Sequence, residues 1–304
     1  MSKRLCAFTW FGGKQKHAKF LLPMLPPHTN YVEPFGGGGA ILLNKKPCRG
    51  IEVYNDVDGS VVDFFTVVSD PDMFAEFYRR VNPLPYSRGL YDKYREVWRD
   101  EKNIVKRVAM WFYIARQSFS GVPGSGWSAA VGRNSQCARP VTLKVTGWAS
   151  CIAGLPYIHK RITRVQIEHR DFREVLEMYN SREYLAYCDP PYVHATRRTK
   201  SVYGTEMSDK DHRDMVKILL EYEGAVVLSG YATKIYRPLE RAGWDRREFK
   251  VVCTAAGNTK LTGILGPGSA SRMQKRTEVV WRNPEAMRRM IHRVKGFFTE
   301  RVTS

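Results

Sequence analysis

The stretch Tyr184-Leu-Ala-Tyr-Cys-Asp-Pro-Pro-Tyr192 places the tightest limits on this chain. Tyr184, Leu185, Tyr187 and Cys188 form the apolar, aromatic run of a short buried strand. Pro190 and Pro191 lack backbone N–H groups and fix φ, so pairing stops and the chain leaves the sheet in a stiff, extended turn. A carboxylate (Asp189), a proline carbonyl and an aromatic ring (Tyr192) therefore gather at the carboxyl end of a strand, where open α/β sheets bind ligands.

That trio suits one chemistry. An exocyclic aryl amine has two N–H donors and a lone pair delocalised into its ring. Asp189 and the Pro190 carbonyl are two acceptors that can hold both N–H groups and favour a pyramidal nitrogen, freeing the lone pair to attack an electrophilic methyl. Tyr192 offers a face on which a planar base can stack.

The charge balance points to a polyanion. Among 304 residues, 49 are Lys or Arg against 30 acidic, a net charge of +19, and nucleic acid is the expected partner. No apolar run approaches the roughly 18 residues of a membrane span. Gly12, Lys14 and Lys16 interrupt any signal-peptide core. The cysteines at 6, 48, 137, 151, 188 and 253 lack zinc or redox spacing and read as reduced thiols, so a cytoplasmic location is expected. His194 and His212 stand without clustered ligands, so no metal is expected.

A second set of motifs lies near the start. Phe8-Thr-Trp-Phe-Gly-Gly-Lys14 combines glycines for close backbone approach with a lysine for a carboxylate. Tyr31-Val-Glu-Pro-Phe-Gly-Gly-Gly-Gly-Ala40 reads as a strand ending in an acid, then a glycine-rich turn. Ala40-Ile-Leu-Leu43 continues as a helical-looking run, giving the first βα unit of a Rossmann-like sheet. The strict G-x-G-x-x-G spacing is absent, and Glu33 is a poor partner for pyrophosphate but a good one for an ammonium group. The next strand, Gly50-Ile-Glu-Val-Tyr54, ends in Asn55-Asp56, about 17 residues past the glycines, where such folds hydrogen-bond ribose hydroxyls. A ribose acid, an ammonium acceptor and a lysine describe S-adenosylmethionine better than NAD.

Trp10-Phe-Gly-Gly-Lys14, Glu33-Pro-Phe-Gly-Gly-Gly38, Asn55-Asp56 and Asp189-Pro-Pro-Tyr192, in that order, resemble the motifs of the DNA adenine methylase family, class alpha, over essentially residues 7–283. The resemblance implies an α/β fold: a Rossmann-like S-adenosylmethionine-dependent methyltransferase sheet with an inserted, largely helical target recognition subdomain. It implies a cofactor site of Trp10, Gly13, Lys14, Glu33, Phe35, Gly36, Gly38 and Asp56, with Asp189 reaching it from the catalytic motif. Asp171 and Phe172, into which the strand-like run Val165-Gln-Ile-Glu-His-Arg-Asp-Phe172 leads, match an Asp-Phe beside the cofactor adenine; core packing is the alternative for Phe172. Asp189, Pro190, Pro191 and Tyr192 would be catalytic. Four successive glycines depart slightly from the commoner family pattern.

Residues 1–70 and 157–304 are expected to form the catalytic domain and 71–156 the recognition insert. The insert carries two expected helices, over Leu90–Asp100 and Val105–Gln117, then a polar, glycine-rich region with Ser118, Ser120, Trp127, Arg133, Asn134 and Arg139 as candidate DNA contacts. Arg197, Arg198 and Lys200, in a basic loop after the catalytic motif, can follow a phosphate backbone. Val57 to about Tyr78 is patterned as helix, Ser208 and Asp211 open another as a cap, and Ala225–Gly230 and Arg276–Trp281 are further strands.

The function expected from these readings is methyl transfer from S-adenosylmethionine to N6 of a flipped-out adenine in double-stranded DNA, leaving S-adenosylhomocysteine. The alternatives are RNA adenine or cytosine N4 as acceptor, or a DNA-binding relative without turnover. A monomer or weak dimer, of bacterial or phage origin, is expected.

Overall fold

The computed structural model describes residues 4–118, 121–128, 140–193, 207–253 and 274–300. Along the chain α1 (Ala18–Leu21) and β1 (Asn30–Glu33) precede β2 (Glu52–Asn55). The helices α2 (Gly59–Ser69), α3 (Pro71–Val81), α4 (Arg88–Val97), α5 (Ile104–Gln117) and α6 (Pro140–Ile162) follow. Then come β3 (Gln166–Glu168), α7 (Phe172–Met178), β4 (Tyr184–Cys188), α8 (Asp209–Glu221), β5 (Ala225–Gly230), α9 (Arg237–Arg241), β6 (Asp245–Cys253), β7 (Gln274–Arg282) and α10 (Pro284–Glu300). The seven strands run in the order β3-β2-β1-β4-β5-β7-β6, a mixed sheet of the Rossmann-like kind expected from the motifs.

The chain divides into two compact units, one of residues 1–24, 33–175 and 202–205, the other of 25–32, 176–201 and 206–304. In the first, β2 and β3 pair in parallel with Val53 opposite Gln166. The helices α2 to α6 bury an aromatic core in which Phe64 stacks on Phe112 at 5.5 Å and meets Phe77 and Trp111 edge-on or tilted at 6.0 Å.

Asp70 divides the helical pattern that starts at Val57. Its N–H still closes α2 on the Thr66 carbonyl, while its carboxylate accepts from Met73 N–H to open α3. Pro71 sits at the first helical position, where no donor is needed.

The run Ala40–Leu43 departs from expectation, because it forms turns rather than a helix. The Leu42 N–H donates to Glu33 Oε2 at 3.1 Å, and Asn44 is held by the Leu5 carbonyl at 2.8 Å. Ile41, Leu42 and Leu43 are all buried, so the segment presents no polar face such as a surface helix needs.

In the second unit β1 and β4 pair in parallel, as do β4 and β5, whereas β7 runs antiparallel to both β5 and β6. Every residue of β4 and β5 is buried, matching their largely apolar sequences. The registers matter downstream: Cys188 faces Leu228, Ser229 faces Val280 and Gly230 faces Val279. Those pairings bring the end of β4, the end of β5 and Glu278 of β7 together. The helix α8 opens with the expected capping box between Ser208 and Asp211.

Candidate active site

The glycine run is braced from two directions. Below it, Tyr54 is fully buried and its hydroxyl donates to the Gly37 carbonyl at 2.7 Å. A Cβ on Gly36 would lie 2.1 Å from the Tyr54 ring, and one on Gly37, whose φ is +47°, would lie 2.7 Å from the Trp10 indole nitrogen. Gly38 and Gly13 also approach Trp10, at 3.3 and 3.0 Å from where their Cβ atoms would stand. Glycine is required here by close approach, and a sequence can signal that.

Acidic and amide groups fix the adjoining strand ends. Asn55 is fully buried and bonds the Pro34 carbonyl at 2.9 Å and both the carbonyl and N–H of Arg170, tying the ends of β2 and β3 to the turn at Pro34. Asp56 accepts from the Gly37 N–H at 2.7 Å and the Asp58 N–H at 2.9 Å. Burial pushes its carboxyl up to about 6, against the pull of the Asp58 and Gly37 N–H groups and with a further push from the Asp58 charge. A carboxylate has roughly four acceptor positions, and the proposed ribose contact would use what these backbone donors leave.

The other expected cofactor residues, Asp189 excepted, occupy the same unit. Glu33 is buried at the end of β1, and Lys14 is buried with its Nζ 3.4 Å from the Gly12 carbonyl. Phe35 and Phe172 lie against each other at 5.2 Å and 35°, and Arg173 covers Phe172 at 4.5 Å. Asp171 accepts from the Arg173 N–H at 2.9 Å and lines a depression of about 510 Å³ with Val57, His169 and Arg170. An acid for ribose hydroxyls, flat rings for a purine and close-packed glycines are the donor set that a sulfonium nucleoside needs, so these residues fit such a cofactor.

In the second unit the motif expected to be catalytic, Asp189–Tyr192, stands where the prolines end β4. Asp189 Oδ1 accepts from the Ser229 hydroxyl at 2.9 Å, and Ser229 in turn lies 3.0 Å from the Tyr187 hydroxyl. Tyr192 donates its hydroxyl to Glu278 Oε1 at 2.7 Å, and its ring lies 4.3 Å from that of Tyr231. Burial, followed by the charges of Asp189 and Glu278, holds the Tyr192 phenol well above its ordinary range, so it remains protonated and is the donor. Glu278 is not singled out by the sequence. A lone acid directly before the apolar run Val279-Val-Trp281 was the available signal.

The expected DNA contacts divide sharply. Ser118 is buried and serves the loop: it donates to the Ile114 carbonyl and accepts from Gly124 N–H, both at 2.8 Å. Trp127 pairs with Ser118 in an antiparallel bridge, donates to Gln117 Oε1 at 3.0 Å and carries Arg88 over its ring at 4.8 Å. The Gly121 carbonyl accepts from Phe11 N–H at 3.1 Å, which joins this loop to the Trp10 segment. Ser120, Arg133, Asn134, Arg139, Arg197, Arg198 and Lys200 lie outside the described residues. Among the described residues no group of His, Cys, Asp or Glu could hold a metal, and no helix is long and apolar enough to cross a membrane.

Residues 10–247 match the profile of the family described as D12 class N6 adenine-specific DNA methyltransferase. The chain is 28% identical over 120 residues to the Type II methyltransferase M1.LlaDCHI of Lactococcus lactis subsp. cremoris, covering 37% of this chain and 41% of that protein. It is 24% identical over 278 residues to the Type II methyltransferase M.MjaIII of Methanocaldococcus jannaschii, covering 85% of this chain and 86% of that one. Among solved structures, the rRNA methyltransferase aviRa from Streptomyces viridochromogenes aligns with a TM-score of 0.34 at 12% identity, over 93% of this chain and 89% of that one.

Proposed function

Because the chain belongs to the D12 class N6 adenine-specific DNA methyltransferase family, we propose that it takes its methyl group from S-adenosylmethionine and delivers it to an adenine flipped out of duplex DNA. When bound, that cofactor supplies a methyl already activated by a sulfonium charge. Trp10, Gly13, Lys14, Glu33, Phe35, Gly36, Gly38, Asp56, Asp171 and Phe172 bind it, with Asp56 on the ribose hydroxyls; Asp189 of the catalytic motif completes the set.

Asp189 and the Pro190 carbonyl accept the two N–H groups of adenine N6, and Pro191 stiffens the turn that carries them. Tyr192 stacks on the base. The amine needs orientation more than a strong base, so the contribution of these residues is positional and electrostatic. Extracting the base costs roughly a few kcal/mol, which stacking and the two acceptors offset. No metal is required. The observation that carries this reading is the Asp189 carboxylate, fixed by Ser229 at the end of the buried strand β4.

Residues 71–156 serve as the recognition subdomain between the two parts of the catalytic domain, 1–70 and 157–304, with Trp127 contacting DNA from a loop shaped by Ser118 and Arg139 contacting DNA as well. Ser120, Asn134, Arg197, Arg198 and Lys200 add polar or phosphate contacts. Arg133 reads a base: gripping guanine O6 and N7 is worth about 1–3 kcal/mol of discrimination. Arg133→Ala then relaxes one position of the methylated site, whereas uniform weakening on every duplex would mark it as a phosphate contact. The protein acts on DNA in the cytoplasm as a monomer or weak dimer.

A tritiated-methyl assay on duplex DNA, RNA and no nucleic acid tests the reading. Incorporation into duplex DNA alone is expected, with N6-methyladenine as product. Incorporation into RNA, or N4-methylcytosine in the product, would overturn it. Expression in methylation-free cells followed by modification mapping yields the site.

A further inference from the structure

We infer that Glu278 is a positioning residue for methyl transfer, holding the Tyr192 ring in the orientation on which the target base stacks. This rests on the stacking role of Tyr192 proposed above. Glu278 is 2% exposed, inside a strand whose neighbours Val279, Val280 and Trp281 are fully buried. A carboxylate in such a place is costly unless it is hydrogen-bonded, and the sheet itself needs no acid there, since its pairing is made by the backbone.

What the carboxylate does is receive the Tyr192 hydroxyl at 2.7 Å. The phenol stays protonated, so the bond is a neutral donor on a carboxylate, a short and strong type. Tyr231 lies against the same ring at 4.3 Å and 46°. One contact therefore pins the tip of the ring and the other supports one side. Tyr192 follows two prolines that fix the main chain but leave its own side-chain torsions free; Glu278 and Tyr231 restrain those. Strand register makes this possible, because Gly230 faces Val279 and so brings Tyr231 and Glu278 alongside each other.

The test uses the full chain and a duplex carrying 2-aminopurine at the mapped target adenine, with S-adenosylhomocysteine present, alongside turnover on the natural duplex. Glu278→Ala and Tyr192→Phe should each lower kcat about tenfold and shift the 2-aminopurine emission, with cofactor affinity unchanged. Glu278→Gln retains an acceptor oxygen and should stay within about twofold of the parent. Glu278→Ala with Tyr192→Phe should be no worse than either alone, since both remove one bond.

A multiplied loss of about 100-fold in the double variant would overturn the proposal, as would parental kcat and emission in Tyr192→Phe. Should Glu278→Ala fail to fold, Tyr192→Phe deletes the same bond with a single oxygen and decides the matter. Tyr192→Ala separates the two layers. Parental emission there overturns the stacking role itself, while an altered emission beside a parental Tyr192→Phe overturns only the part played by Glu278.

Discussion

Ser229 donates its hydroxyl hydrogen to Asp189 Oδ1 across 2.9 Å, and that single bond sets the direction of the Tyr187–Ser229 contact beside it. Serine has one hydrogen to give, so the Tyr187 hydroxyl must be the donor at 3.0 Å. The Ser229 bond thereby orients the carboxylate that the proposed reaction directs at a substrate N–H. Ser229→Ala is expected to reduce kcat about tenfold, while Asp189→Ala abolishes turnover. Ser229→Ala should leave cofactor affinity in calorimetry unchanged, and near-normal turnover in Asp189→Ala would refute the role given to it.

The ribose role proposed for Asp56 should make cofactor binding sensitive to pH. Its carboxyl, raised by burial to about 6, is ionised above that value and protonated below it. A ribose hydroxyl donates best to the ionised form, so affinity should be full at pH 7 and fall as pH drops through about 6. If only the ionised form binds, affinity at pH 5 is about tenfold lower than at pH 7. Calorimetry across that range checks this; Asp56→Asn should bind weakly and with a flat profile.

The glycine run tolerates side chains unequally. Gly36→Ala drives a methyl to 2.1 Å from the fully buried Tyr54 ring, which has nowhere to move, and should cost about 1–3 kcal/mol of stability in urea unfolding. Gly37→Ala instead meets the half-buried Trp10 indole at 2.7 Å and adopts an unfavourable positive φ. It should weaken cofactor binding more than it lowers the unfolding midpoint.

A buried charge cluster fastens the turn that follows those glycines. Glu52 accepts from Lys45 at 2.5 Å and from both terminal nitrogens of Arg161 at 2.7 and 2.8 Å, and Arg161 also holds the Leu42 carbonyl. Burial pushes the Glu52 carboxyl up, but the Arg161 and Lys45 bonds outweigh it and hold it below its ordinary range. A lowered carboxyl stabilises the fold above its ordinary value of 4.5, and the contribution is lost as pH falls further. Glu52→Gln leaves two buried cations unmatched and should cost about 3–5 kcal/mol. Denaturation of the variant near pH 7 measures it.

Local chemistry made much of this molecule legible. The apolar run before Asp189 and the two prolines after it define β4 and its end within nine residues, because buried strands and proline stops depend only on nearby backbone. The Ser208–Asp211 cap, the acid closing β2 and the crowded glycines likewise announce themselves through residue type and spacing. Other features were decided by chain neighbours far away in sequence. Ala40–Leu43 carries helix formers, yet the Glu33 carboxylate takes the Leu42 N–H and the run stays in turns. Ser229 lies 40 residues beyond Asp189, and Glu278 lies 86 beyond Tyr192. Nothing within a few residues of Glu278 reveals that its partner is a tyrosine. Strand order and register bring the two together, and those follow from packing the whole sheet, whereas periodicity and capping act over one or two turns of chain.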